Sequence, residues 1–138
     1  MTERAIDPSL FDWPSAAPRL KGARHRQSGR ISFPARCDDP AYETVELAAR
    51  GALWTWTIQR FLPKSPPYAG PETPETFKPY AVGYIDLPGQ VRVEARLTES
   101  DPKKLRIGMP MDLVIVPFAE LPDGDRVMTF AFAPAAQA

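Results

Sequence analysis

From Thr44 to Phe61 the chain reads "TVELAARGALWTWTIQRF", in which Leu53, Thr55, Thr57 and Gln59 alternate with Trp54, Trp56, Ile58 and Arg60. That period of two, in a run rich in β-branched and aromatic residues, is what a half-buried strand requires. Gly51 inside the run invites a bend or a bulge. "AVGYIDL" and "VRVEARL" (81–87 and 91–97) predict two more strands, and in the second Val91, Val93, Ala95 and Leu97 alternate with Arg92, Glu94 and Arg96. Pro88-Gly89 between them suits a type II turn. "MDLVIVPF" (111–118) and "RVMTFAF" (126–132) predict a final pair, with Asp123-Gly124 as the turn signal. The intervening "ESDPKKLRIG" predicts one helical turn begun at Ser100 or Asp101 and ended at Gly108. Five strands with one short helix before the fourth predict an all-β fold, a small closed or partly open antiparallel barrel.

The flanking segments read differently. In "DPSLFDWPSAAPRL" (7–20) Asp7 can cap a helix with Pro8 in its first turn, and Leu10, Phe11 and Trp13 give it an apolar face. A short N-terminal helix over residues 1–20, stopped by Pro14 and Pro18, is therefore expected. Residues 62–79 hold six prolines and no periodicity, which predicts a long loop of the kind that is usually functional or mobile. Within it and at its edges, Phe61, Tyr68, Phe77 and Tyr80 are candidate anchors for a protein interface, with Lys64 and Lys78 beside them for anionic groups. Prolines restrict the free chain and so reduce the entropy lost on docking.

Composition narrows the classes. The 138 residues fit one domain with a short appendage, and the 43% hydrophobic share predicts a folded chain in spite of seventeen prolines. Seventeen Lys and Arg balance seventeen Asp and Glu, so no overall field favours a polyanion. One cysteine excludes an internal disulfide, no apolar run reaches the length of a membrane span, and nothing near Met1 resembles a signal peptide. A cytoplasmic location without membrane contact is the expectation. No H-E-x-x-H, G-x-S-x-G or P-loop pattern occurs, and no catalytic residue is assigned. Cys37 and His25 could pair as nucleophile and base only if the chain between them folds back. Stacking aromatics such as Trp54, Trp56, Phe61 and Tyr84 could also suit single-stranded nucleic acid. Asp86, Glu94 and Asp112 in the barrel strands oppose that reading.

The order of "LKGARHRQSGRISFPARC", "RGALWTWTIQRF", "PYAVGYIDLPG" and "LRIGMPMDLVIVPF" resembles the acyl-CoA-associated OB-fold family known as domain of unknown function thirty-five. The resemblance covers residues 7–134, and its most specific marks are Gly-x-Leu-x-Thr-x-Thr at 51–57, "KPYAVGYIDL" at 78–87 and "LRIGMPM" at 105–111. It implies a helical segment (1–20), a rubredoxin-like ribbon (21–45), a five-stranded OB barrel (46–134) and a tail (135–138). It also implies an accessory subunit of a thiolase-like enzyme, in a hetero-oligomer with the catalytic chain, acting on a CoA thioester by thiolytic or aldol carbon–carbon bond cleavage or formation. A free-standing module for acyl-CoA or single-stranded nucleic acid is the alternative.

The family's zinc pattern, C-x2-C-x8-C-x2-C, falls on His25, Ser28, Cys37 and Pro40. Zinc in a structural site takes four N or S ligands, and this set offers His25 and Cys37, with Asp38 or Asp39 as a conceivable oxygen donor. A metal-free ribbon is expected, held by packing of Ile31, Phe33 and Tyr42 or by a partner. Arg19, Lys21, Arg24, Arg26, Arg30 and Arg36 run through the same segment without an intervening acid. Arg24, Arg26 and Arg30 are the candidates for CoA phosphates or acidic partner residues, because guanidinium matches phosphate with paired hydrogen bonds. A solvated face explains the same run.

Overall fold

The structure is a computed structural model that describes residues 3–35, 38–64 and 70–135. Cys37, Arg36 and Tyr68 lie outside the described residues. The strands are β1 (Glu3–Ala5), β2 (Lys21–His25), β3 (Ile31–Ser32), β4 (Tyr42–Glu46), β5 (Arg50–Gln59), β6 (Tyr80–Asp86), β7 (Arg92–Leu97), β8 (Pro110–Glu120) and β9 (Arg126–Pro134). Among the described residues the one helical element is a 3-10 turn at Pro102–Lys104. Asp101 caps it by accepting from the Lys103 N–H at 3.0 Å.

β5, β6, β7, β9 and β8 form a closed five-stranded barrel, β8 pairing with both β9 and β5. All contacts in the ring are antiparallel except β7 on β9, which is parallel at Leu97 and Phe132. Strands alternate their side chains, so each contributes alternate residues to the interior: Val93, Ala95 and Leu97 from β7, Ala81 and Ile85 from β6, Leu53 from β5, Met111 from β8 and Phe132 from β9 are all buried. The glycines of β5 and β6 permit tight curvature. A Cβ on Gly51 would stand 2.5 Å from the Asp86 carbonyl oxygen, closer than packed atoms allow.

The expected bend in β5 falls elsewhere. Its register against β6 shifts between Leu53 and Thr55, and the extra residue, Trp54, reverses the phase of the strand. Leu53 is buried, yet Trp56 and Ile58, of opposite parity, pack on the same core. A simple alternation over residues 53–60 therefore gives the wrong face beyond the bulge.

β2, β3 and β4 make a separate three-stranded antiparallel sheet, with His25 opposite Tyr42 and Arg24 opposite Glu43. It is fastened to the barrel by Phe33, whose ring meets Phe130 edge to face at 5.6 Å. Ile31 and Phe33 both pack on the core, as expected of a ribbon stabilised by side-chain packing.

The expected N-terminal helix does not form. Residues 3–5 instead pair in parallel with 126–128 of β9, occupying the part of that strand edge that β7 does not reach. Asp7 turns the chain by accepting from the Ser9 N–H at 2.9 Å and the Ser9 hydroxyl at 2.7 Å, bonds that hold its carboxyl below its ordinary pKa. Such Asx turns compete with helix, and Pro14 and Pro18 prevent its continuation. Phe11 and Leu20 then meet as an antiparallel bridge, both buried in the barrel core.

Candidate functional site

The ribbon arginines divide by partner. Arg24 donates from Nε to Glu43 at 2.7 Å, and Arg26 approaches the other oxygen of the same carboxylate at 3.6 Å. Arg26 also donates to the Pro40 carbonyl at 3.0 Å. The hydrogen bond and charge of Arg24, with a smaller contribution from Arg26, hold the Glu43 carboxyl below its usual range. Arg30 is exposed, and no carboxylate lies within ion-pair reach of it among the described residues. Among the described ribbon arginines it is the one without a carboxylate partner.

The residue types at the four positions of the metal pattern do not fit a four-coordinate zinc site. His25 accepts the Ser28 N–H at its Nδ1, 3.2 Å away. The ring stands edge-on to Tyr42 at 5.1 Å. The Ser28 hydroxyl accepts the Arg30 N–H at 3.3 Å, and Pro40 offers only the carbonyl that Arg26 already occupies. A tetrahedral set of nitrogen and sulfur ligands cannot be assembled from an imidazole, a hydroxyl, a thiol and a side chain without a donor atom. What survives is the knuckle's backbone geometry: the His25 N–H bonds the Arg30 carbonyl at 2.8 Å and the Gly29 N–H bonds the His25 carbonyl at 2.9 Å. Gly29 takes φ +73° at the turn, a conformation glycine adopts without steric cost. Among the described residues no three His, Cys, Asp or Glu side chains gather in the manner of a metal site.

Phe77 and Tyr80 meet edge to face at 6.0 Å, and the Arg96 guanidinium lies over the Tyr80 ring at 3.7 Å. Tyr80, Arg96 and Phe130 are among the residues that line an open groove of about 440 Å³. Phe61 is 79% exposed, and Lys64 and Lys78 are exposed as well. No hydrogen bond, ion pair or ring contact among the described residues joins these loop residues to the ribbon arginines.

Sequence reading did not single out the surface around the bulge as a unit. Trp54 and Tyr84 are both half exposed and meet edge to face at 6.2 Å. Arg92 covers the Trp54 ring at 4.1 Å, and the Tyr84 hydroxyl donates to Glu94 at 3.2 Å, which raises the Tyr84 pKa. The signal was the crowding of two tryptophans at Trp54 and Trp56. In an unbroken strand they would share a face, and only one of the barrel's two faces can bury them.

A five-stranded barrel closed by one parallel contact, with a short turn before its fourth strand and a three-stranded ribbon packed on it, defines an OB-fold protein. Residues 44–116 match the ChsH2 C-terminal OB-fold domain, and the chain belongs to that family. It is similar to a protein of Thauera aromatica described as benzoylsuccinyl-CoA thiolase subunit BbsA, with 31% identity over 132 residues that cover 91% of this chain and 84% of the relative. It is also similar to a DUF35 domain-containing scaffold protein of Pyrococcus furiosus, 27% identical over 77% of this chain and 75% of that one. A solved Ltp2-ChsH2(DUF35) aldolase contains a chain of the same fold, with a TM-score of 0.59, 24% identity and 86% of each chain covered. Among the described residues no helix is long and apolar enough to cross a membrane.

Proposed function

We propose that this chain is the accessory subunit of a thiolase-like acyl-CoA enzyme, docking on a catalytic chain, stabilising it and helping to shape its acyl-CoA site. The observation that carries this reading is the 31% identity to a thiolase subunit over 91% of the chain, a span that includes both the ribbon and the barrel. The substrate is a CoA thioester, and the reaction is cleavage or formation of a carbon–carbon bond on it, in the breakdown of an aromatic, steroid or other unusual acyl group. The catalytic chain supplies the nucleophile and the acid and base. This subunit supplies surface and charge, with Arg30 the ribbon residue available for a CoA phosphate. We infer that the assembly works in the cytoplasm.

The test is co-expression with the thiolase-type chain that co-purifies with the tagged protein, followed by mass determination of the complex and assay of acyl-CoA turnover with and without this subunit. A stable hetero-oligomer whose turnover depends on the subunit is the expected result. A monomer that binds acyl-CoA unaided would establish the free-standing module instead.

A further inference from the structure

The bulge that exposes Trp54 also organises the connection between β7 and β8. The Leu53 N–H donates to the Met109 carbonyl at 2.9 Å and the Gly108 N–H donates to the Leu53 carbonyl at 2.7 Å, so the turn at 106–109 is laid against β5 where its register slips. Gly108, at φ +89°, makes that turn, and Leu105 anchors its other side in the core. Ile107 stands on it 64% exposed. Trp54, Tyr84 and Ile107 are thus three of the five large hydrophobic residues exposed among the described residues, and they belong to strands and a turn that meet at one bulge.

Charge around this centre is uneven. Five cations elsewhere are met by the chain's own acids, Arg4 by Asp125, Lys21 by Asp12, Arg50 by Asp112, Arg92 by Asp86 and Arg126 by Glu3. Lys103, Lys104 and Arg106 are exposed, and no carboxylate lies within ion-pair reach of them among the described residues. This connection therefore presents three positive charges without an ion-pair partner among the described residues, on a segment that also carries Glu99 and Asp101.

We propose that the apolar centre of Trp54, Tyr84 and Ile107, rimmed by Lys103, Lys104 and Arg106, is a docking surface for an acidic-rimmed face of the catalytic partner chain. The proposal rests on the accessory-subunit reading. Aromatic residues are enriched at the centres of protein interfaces and charged ones at the rim. The bulge, the stacked Arg92 and the backbone bonds of the turn preorganise the surface, which lowers the ordering cost of docking. Complementary charge makes the rim sensitive to salt.

The experiment titrates the purified thiolase-type chain, identified by its co-purification, against three forms of this protein: wild type, Trp54→Ala with Ile107→Ala, and Lys103→Glu with Lys104→Glu and Arg106→Glu. Thermal melting confirms that each form is folded. Both variants are expected to bind about tenfold more weakly or worse, and the charge-reversed form is also expected to lose the salt dependence of wild type. Wild-type affinity in both variants would overturn the docking surface while leaving the accessory-subunit reading intact. Failure of the wild-type protein to bind would overturn that reading, and this surface with it. Loss of self-association or of oligothymidylate binding in the variants, with partner affinity unchanged, would assign the surface to a second copy or to nucleic acid and overturn the proposal.

Discussion

Leu97 stands opposite Phe132 in the only parallel register point between β7 and β9 among the described residues, and the Thr98 N–H donates to the Phe132 carbonyl at 3.0 Å beside it. This contact converts an open sheet into a barrel. Phe132 also faces Leu113 across β8, and its side chain is fully buried. Phe132→Ala is expected to cost about 3–5 kcal/mol, enough to remove much of the stability of an ordinary domain. Urea unfolding followed by tryptophan fluorescence measures it, and a loss below about 1 kcal/mol would mean that the barrel closes by other means.

Gly51 illustrates a different constraint. A methyl group there would meet the Asp86 carbonyl oxygen at 2.5 Å, Ile85 Cγ2 at 2.8 Å and Leu87 Cδ2 at 2.9 Å. Backbone cannot yield as a flexible side chain does, so Gly51→Ala is expected to destabilise by about 1–3 kcal/mol. Gly89→Ala makes the contrast: nothing lies within 4 Å of an added methyl group, and its cost comes from φ +70° alone. Comparing the two melting curves separates crowding from backbone strain, and an unaltered Gly51→Ala curve would contradict the packing described.

The barrel was largely legible because its signals are local. Turn residues at Gly89, Gly108 and Gly124 all take positive φ, and the alternation in residues 91–97 survives in the burial of Val93, Ala95 and Leu97. The bulge at Trp54 was not, because it depends on the turn at 106–109, more than fifty positions later, reaching the Leu53 backbone. The N-terminal helix failed for a related reason. Its local signals were sound, but β9 offered a strand edge to residues 3–5, and tertiary pairing outweighs the weak preference of a short helix. At the site, the run of arginines was visible, whereas the neutralisation of Arg24 and Arg26 by Glu43 was not. Glu43 lies nineteen positions from Arg24 and reaches it only because β2 and β4 are neighbours.

The Arg24 and Glu43 pair sets the sign of a pH effect. Glu43 binds its proton less readily folded than unfolded, so its contribution to stability is complete above the unfolded glutamate value, about 4.3, and is lost as pH falls through the lower folded value. The pair is solvent-accessible, so the contribution is small. Carboxyl chemical shifts recorded during an acid titration should give Glu43 a midpoint below that of ordinary glutamates, and Arg24→Ala should raise it. A midpoint that ignores Arg24 would show that the pair does not persist in solution.

Removal of metal should leave this ribbon unchanged. Among the described residues its knuckle is closed by the His25 and Ser28 hydrogen bond and by the edge-on contact of His25 with Tyr42. Prolonged dialysis against a strong chelator is expected to leave the melting temperature in place, and His25→Ala to lower it. Stoichiometric zinc in the purified protein, with a chelator-sensitive melt, would mean that Cys37 and an acidic neighbour complete a site after all.

Among the ribbon arginines, the charge pattern predicts unequal effects on the reconstituted enzyme. Arg24 and Arg26 share Glu43, so a phosphate would have to compete with a carboxylate already in place, whereas Arg30 has no such competitor among the described residues. Arg30→Ala should therefore raise the KM for acyl-CoA several-fold with little change in kcat, the signature of lost ground-state binding. Arg24→Ala should instead lower ribbon stability and leave KM nearly unchanged. Raised salt should reproduce the Arg30→Ala effect in wild type, since screening weakens an exposed ion pair. Equal KM in wild type and Arg30→Ala, at low and at high salt, would remove Arg30 from the acyl-CoA site and leave the basic run as a solvated face.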